Sequence, residues 1–421
     1  MFRLQRPAGV FVFALLSAFA THATHARAQS SMEEPQTIDA ARATIRGSTR
    51  VIGLGGAFVA IADDTQGVSI NPASVAVRLP YSWDPFSFAF GIDISIATWL
   101  PKNDVFNVPQ ATGESRGGSL FGSFAILTNY QHAGFGLSAE AEQNVATSKA
   151  QQGVSTKLTA NFGVVRPAVA YGYFDGQLQL GAGLRVLGFS IGGSQGTPLT
   201  AGIGYTAGVI VKPKGQQFRV GAAIEQPINA QVPSDNGATP TLVHVPWTAA
   251  FGFAYQFGKR RMNPKFVTIS DRVRRNTAGQ KLTGEARKKA EEVAAKELFD
   301  EYQKDQTWYL LVSSELALIQ GSGNVALGGG PTLSRTLVSP RLGVESEVVP
   351  RHLRVRAGTY LELATTPEGH ARMHVTGGVD IRLFEWSVFG LVKPFDYWQL
   401  SLAADGASSY LNTSFSIGFW H

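Results

Sequence analysis

Cysteine is absent from all 421 residues. That removes disulfides, thiolate metal sites and a lipid-modified N-terminal cysteine together. Charge is sparse as well, at 16% Asp, Glu, Lys and Arg, below the usage of an ordinary soluble domain. The formal balance is +6, and Arg3, Arg6 and Arg27 supply three of those charges near the N-terminus. What remains is too small and too scattered for a nucleic-acid-binding face. Beyond the first thirty residues no window approaches the roughly 20 apolar residues that a membrane-spanning helix needs. Catalytic patterns are missing too. G-x-S-x-G, H-E-x-x-H and paired histidines do not occur, and His132, His244, His352, His370, His374 and His421 fall mostly in turns or loops. The sequence therefore names no catalytic residue, no metal ligand and no cofactor, and a non-enzyme is expected.

What is present begins with an export signal. Arg3 and Arg6 form a positive start, Ala8 to Ala20 an apolar stretch of about 13 residues, and Ala26-Arg27-Ala28 a small-x-small cleavage site. Residues 1–28 are expected to be removed.

Glycine (46) and phenylalanine (26) are abundant, and they recur in alternation. Phe86, Phe88, Phe90, Ile92, Ile94 and Ile96 are separated by small or polar residues, and the same period of two returns at Leu178–Val186, Leu353–Leu361 and Leu411–Phe419. One face of each strand is apolar, as a barrel wall in lipid requires. The pattern predicts an all-β transmembrane antiparallel barrel of about 14 strands. They fall near 86–99, 119–130, 133–143, 157–171, 177–189, 199–212, 217–226, 246–257, 307–320, 337–349, 352–363, 372–384, 385–403 and 409–420. Strands one to eight then occupy 83–258, and nine to fourteen 307–421. Short joins at 130–132, 175–176, 213–215, 350–351 and 384–385 alternate with long ones at 100–118, 144–156, 190–198, 227–245 and 321–336. Short periplasmic turns and long outer loops alternate in this way in outer-membrane barrels. Phe415, Ile417 and Phe419 keep the aromatic phase that barrel-assembly machinery reads, although the chain ends in His421.

Residues 29–82 precede the first strand and are expected to fold inside the barrel as a hatch. They contain Gly55-Gly56-Ala57-Phe58-Val59-Ala60, then Asp63-Asp64, then Asn71-Pro72-Ala73. A dinucleotide loop is excluded, because Phe58 stands where G-x-G-x-x-G needs glycine. Asn71-Pro72 starts a turn, since Asn bonds its own backbone locally and Pro fixes the next dihedral. The order of these elements resembles the N-terminal signature of the FadL-like outer-membrane proteins. That resemblance implies a Gram-negative outer-membrane barrel amid lipid and lipopolysaccharide, gated by its hatch. It implies passive uptake of long-chain fatty acids or other hydrophobic compounds. Related barrels act in secretion, so a structural or secretion-associated barrel that docks a protein stays open. Asp63 and Asp64 anchor the hatch or gate it.

Strand parity turns Arg341, Glu345, Glu347, Arg354, Arg356, Glu362, His374, Asp380 and Arg382 into the lumen. The turn at Pro350-Arg351 sets Glu347 opposite Arg354 and Glu345 opposite Arg356. A loop centred near Glu368 would bring Asp380 beside Arg356 and Arg382 beside Arg354. These charges either stiffen the wall or form a polar track. Residues 259–306 are read as a periplasmic helical insertion, with Thr283 as N-cap, a helix near 284–304, and an apolar stripe of Ala286, Ala290, Val293, Ala294, Leu298 and Tyr302. It is a solvated arm or a docking site for peptidoglycan or a periplasmic partner.

Overall fold

The computed structural model describes residues 37–40, 44–78, 83–97, 103–107, 116–149, 155–192, 200–232, 241–326, 331–367, 369–385 and 397–420. The export signal, residues 29–36 of the expected hatch, and His421 lie outside them.

Among the described residues, eighteen strands form two sheets. The barrel strands are β2 (Phe86–Ala97), β3 (Arg116–Tyr130), β4 (Ala133–Lys149), β5 (Ser155–Gly172), β6 (Leu178–Gly192), β7 (Thr200–Val211) and β8 (Phe218–Glu225), followed by β11 (Thr248–Gly258), β12 (Tyr309–Ile319), β14 (Leu337–Val349), β15 (Leu353–Glu362), β16 (Arg372–Glu385), β17 (Tyr397–Ala407) and β18 (Tyr410–Trp420). They close into a 14-stranded antiparallel barrel, the last strand pairing with the first through Ile417↔Ile92. Closure gives every wall strand two neighbours, so no row of backbone donors faces lipid unpaired. The alternation sorts as the chemistry requires: Phe86, Leu180, Tyr205, Phe251 and Phe415 face out, while Asp93, Ser95, Arg185 and Glu345 are buried inside.

The second sheet was not foreseen. Strands β9 (Ile228–Val232), β10 (Thr241–Val245) and β13 (Val325–Ala326) arise within two segments read as outer loops, and β1 (Thr37–Asp39) pairs parallel with β10 and β13. β9 and β10 pair antiparallel as sequence neighbours, but β1 and β13 join them from far along the chain, and no local pattern marks those pairings. The buried carboxylate of Asp39 ties it down, accepting from the hydroxyls of Ser322 and Thr332. The sheet's Ile228 and Val243 pack against Phe162, Leu187 and Phe189 of the wall as a buried apolar cluster in the loop-side half of the lumen.

Two connections differ from expectation. Pairing of β4 with β5 continues to Lys149↔Ser155, so the expected loop 144–156 shrinks to the residues between them. No turn occurs at 384–385. Strand β16 runs through Glu385, which pairs with Tyr397, and 386–396 lie outside the described residues. The alternating apolar residues of that stretch mimic a strand onset. At the other end β17 and β18 are joined by the tight turn Ser408-Ser409.

Candidate functional site

From β1 the chain passes down the lumen to the end where β2 begins. Helix α1 (Thr49–Gly53) is capped by Ser48, whose Oγ accepts from Val51 N, and Thr49 N donates to Asp93 Oδ1 of the wall at 3.1 Å. Gly55 and Gly56 then take φ of +60° and +73°, values natural to glycine alone. A Cβ on Gly55 would also lie 2.7 Å from Thr359 N. Phe58 is fully buried beneath the guanidinium of Arg50, 5.3 Å from the ring centroid. The Phe58 and Val59 amides donate to Glu315 Oε2 at 3.0 and 2.8 Å, and Arg341 donates to Glu315 Oε1 at 2.8 Å.

The acidic pair divides its work. Asp63 accepts from Arg50 at 2.7 Å and Arg219 at 3.0 Å. Burial alone would lift its carboxyl, yet the two guanidinium groups hold it below its ordinary range. Asp64 opens α2 (Asp64–Gly67) at φ +58°. Further on, Asn71 Oδ1 accepts from Ala73 N at 3.0 Å while its amide reaches Val59 O, Val209 O and Ala222 O at 3.1–3.3 Å. Pro72 begins the 3₁₀ turn Pro72–Ala76. The wall yields to this segment. A Cβ at Gly134 would lie 1.7 Å from Val75 O, and one at Gly208 2.0 Å from Asn71 Oδ1.

The inward charges fall into two clusters. In the first, Glu345 accepts from Arg50 Nε (2.8 Å), Arg356 Nε (2.6 Å) and the Tyr309 hydroxyl (2.9 Å). Arg356 also donates both terminal nitrogens to Asp380, Arg354 bridges Asp380 and Glu347, and Glu347 accepts from Arg260 at 2.7 Å. Glu345 stands opposite Arg356 and Glu347 opposite Arg354 in the ladder. In the second, His374 places Nδ1 and Nε2 each 2.7 Å from Asp405 and Glu362. Arg372 joins Glu362, and the Tyr360 hydroxyl donates to Asp405 at 2.7 Å.

One expectation about pairing fails. Arg382 does not stand beside Arg354. Pairing of Glu362 with Arg372 centres the β15–β16 loop one residue earlier than Glu368, so Asp380 faces Arg354 and Arg382 lies beyond it. Arg382 instead lays its guanidinium 3.3 Å over the Tyr397 ring. Sequence reasoning missed Arg50, Arg219, Arg260, Glu315, Arg372 and Asp405. Glu315 carried a signal, as the one acid in the otherwise apolar or hydroxylated strand YLLVSSELALI, and Arg372 shares the parity of His374.

The insertion closes the lumen from below. Arg219 binds the hatch through Ile61 O and Asp63, and the insertion stem through Asn263 Oδ1 (2.9 Å) and Met262 O (3.0 Å). Met262 joins Phe58 and Ile61 in one apolar core. Two helices follow, α3 (Ile269–Asn276) and α4 (Gly284–Asp305), clasped by Arg272 and Glu301. Thr268 caps α3 with a full capping box, and Thr283 stands at the N-cap of α4 as expected, though its side chain makes no capping bond. Of the expected stripe, Ala294 and Leu298 are buried and Val293 is exposed. Trp83 meets Phe299 and Tyr302 edge-on, fixing the arm to the rim.

No family model and no curated protein sequence matches this chain. Solved structures do. A crystal structure of a Pseudomonas aeruginosa FadL homologue aligns at TM-score 0.53 and 13% identity, covering 89% of this chain and 97% of that one. The CymD monoaromatic hydrocarbon channel aligns at 0.54 and 14%, covering 90% and 97%. The Pseudomonas putida toluene transporter TodX aligns at 0.50 and 12%, covering 92% and 99%. The fold is FadL-like. Identities this low speak for architecture and leave the cargo to the residues themselves.

Proposed function

We propose that this chain is an outer-membrane channel that passes hydrophobic compounds inward by diffusion, with residues 44–78 as the gate. The observation that carries the reading is the division of the lumen. Phe162, Leu187, Phe189, Ile228 and Val243 pack against one another as a buried apolar cluster in the loop-side half, while the hatch and its ion pairs occupy the other. An apolar solute that parts this cluster gains about 0.8 kcal/mol per CH₂ group it buries there, so entry needs no polar contacts. Passage then needs the hatch to shift, and the hatch is held by polar bonds rather than by covalent links. The FadL-like fold supports the same reading, since structures sharing it include a monoaromatic hydrocarbon channel and a toluene transporter. Monoaromatic hydrocarbons and long-chain fatty acids both suit the apolar cluster.

The test is uptake of labelled toluene and labelled oleate by a Gram-negative host that lacks its own transporters. Uptake of either above the empty-vector background is expected. Background uptake of both, with a protein co-purifying in stoichiometric amount, would replace transport with docking.

A further inference from the structure

Between the barrel rim and the helical arm lies a cavity of about 410 Å³, lined by eight Lys and Arg side chains against Glu301 and Asp305 alone. Several of those cations are already matched: Arg219 by Asp63, Arg260 by Glu347, Arg272 by Glu301, and Arg261 by Asp305 at 4.0 Å. Lys212, Lys265 and Arg275 make no ion pair within 4 Å among the described residues. Lys212 sits in the rim turn after β7, where burial pushes its ammonium down to about 7 and Arg219 adds to the push. Holding charge there is costly, and a bound anion would offset that cost. The remaining wall is apolar, from Trp83, Phe266 and Leu298.

We propose that this chamber binds a phosphate group through Lys212, Lys265 and Arg275. Two ammonium groups and a guanidinium fork present more donors than the two oxygens of a carboxylate can accept. A phosphate offers three or more oxygens and up to two charges. The group comes either free in solution or on a lipid head whose chains lie against the apolar wall.

The full chain, purified in maltoside micelles, is titrated calorimetrically with inorganic phosphate and separately with short-chain phosphatidic acid, whose monoester phosphate keeps three free oxygens. Lys212→Gln with Lys265→Gln is expected to weaken phosphate binding at least tenfold. Lys288→Gln with Lys289→Gln removes the same charge from the exposed face of α4 and should stay within twofold of the parent. Heat-modifiable migration on gels checks that each variant keeps its barrel, and Lys265→Gln alone, outside the wall strands, gives a second reading. Tighter binding of phosphatidic acid than of phosphate assigns the site to a lipid head, and equal or weaker binding assigns it to free phosphate. The proposal is overturned by no binding of either probe, by equal loss in both double variants, or by oleate binding more tightly than both.

Discussion

Glu345 takes hydrogen bonds from Arg50, Arg356 and Tyr309 at once, and so joins the hatch to the wall. Glu345→Gln leaves two buried guanidinium groups short of a counter-charge, at a cost of about 3–5 kcal/mol. That loss is read as a lower denaturant midpoint in micelles. A charge swap, Glu345→Arg with Arg356→Glu, will not rescue it. The swap sets like charges against Arg50 on one side and Asp380 on the other. A neutral pair, Arg50→Gln with Glu345→Gln, should cost less than the sum of the two single changes, and strict additivity would deny the contact. Asp63 adds a pH signature. Its carboxyl is held below the ordinary value by Arg50 and Arg219 against the pull of burial. Its contribution is therefore intact above pH of about 4 and fades as pH falls through the depressed value. Single-channel conductance is expected to stay low from neutral pH down to about 4 and to rise below it. Asp63→Asn should show raised conductance at neutral pH. The pairing of Glu345 with Arg356 came out as read because the turn is one residue longer than Pro350-Arg351, with Val349 opposite Leu353, and a bulge at Val348 takes up the extra residue. Arg382 was misplaced because one residue in the β15–β16 loop shifts every pair above it.

Strands were the legible elements, since a face toward lipid must be apolar at every second residue whatever lies inside. The hatch was legible as a position and not as a path. Its contacts to Gly134, Gly208 and Gly358 rest on missing side chains spread through the wall, and a lone glycine in a strand has many causes. Those glycines make a sharp test. Gly134→Val places a Cβ where Val75 O now lies, so the Pro72–Ala76 turn must move and conductance in planar bilayers should rise severalfold. Gly406→Val, whose Cβ meets nothing within 4 Å, should leave conductance at the parent value. Helix ends in the insertion give a smaller contrast. Thr268→Ala breaks a complete capping box and should cost about 1 kcal/mol. Thr283→Ala removes no capping bond and should cost a few tenths. Thermal melts of the two variants decide it. The small sheet of β1, β9, β10 and β13 was illegible for a different reason: its strands are two to five residues long, and β1 and β13 meet β10 only once the barrel has brought them together.

At the scale of the molecule, both the chain's entry into β2 and the helical arm belong to one end of the barrel, and the small sheet with the Ser408-Ser409 turn belongs to the other. Fourteen strands return the C-terminus to the end where β2 starts. A chain whose hatch precedes its wall should keep that end in the periplasm, with the small sheet outside, in keeping with the short-turn and long-loop asymmetry of such barrels. The absence of native cysteine allows a clean measurement of this orientation. Gln280→Cys and Lys304→Cys lie on exposed parts of the arm, and Ser408→Cys lies in the exposed turn at the far end. In intact cells a membrane-impermeant maleimide should label Ser408→Cys and spare both arm variants. After the outer membrane is permeabilised, all three should label to the same extent, which shows that the arm cysteines were shielded by location and not by packing. Labelling of the arm variants in intact cells, with Ser408→Cys spared, would invert the barrel and place the cationic chamber outside the cell.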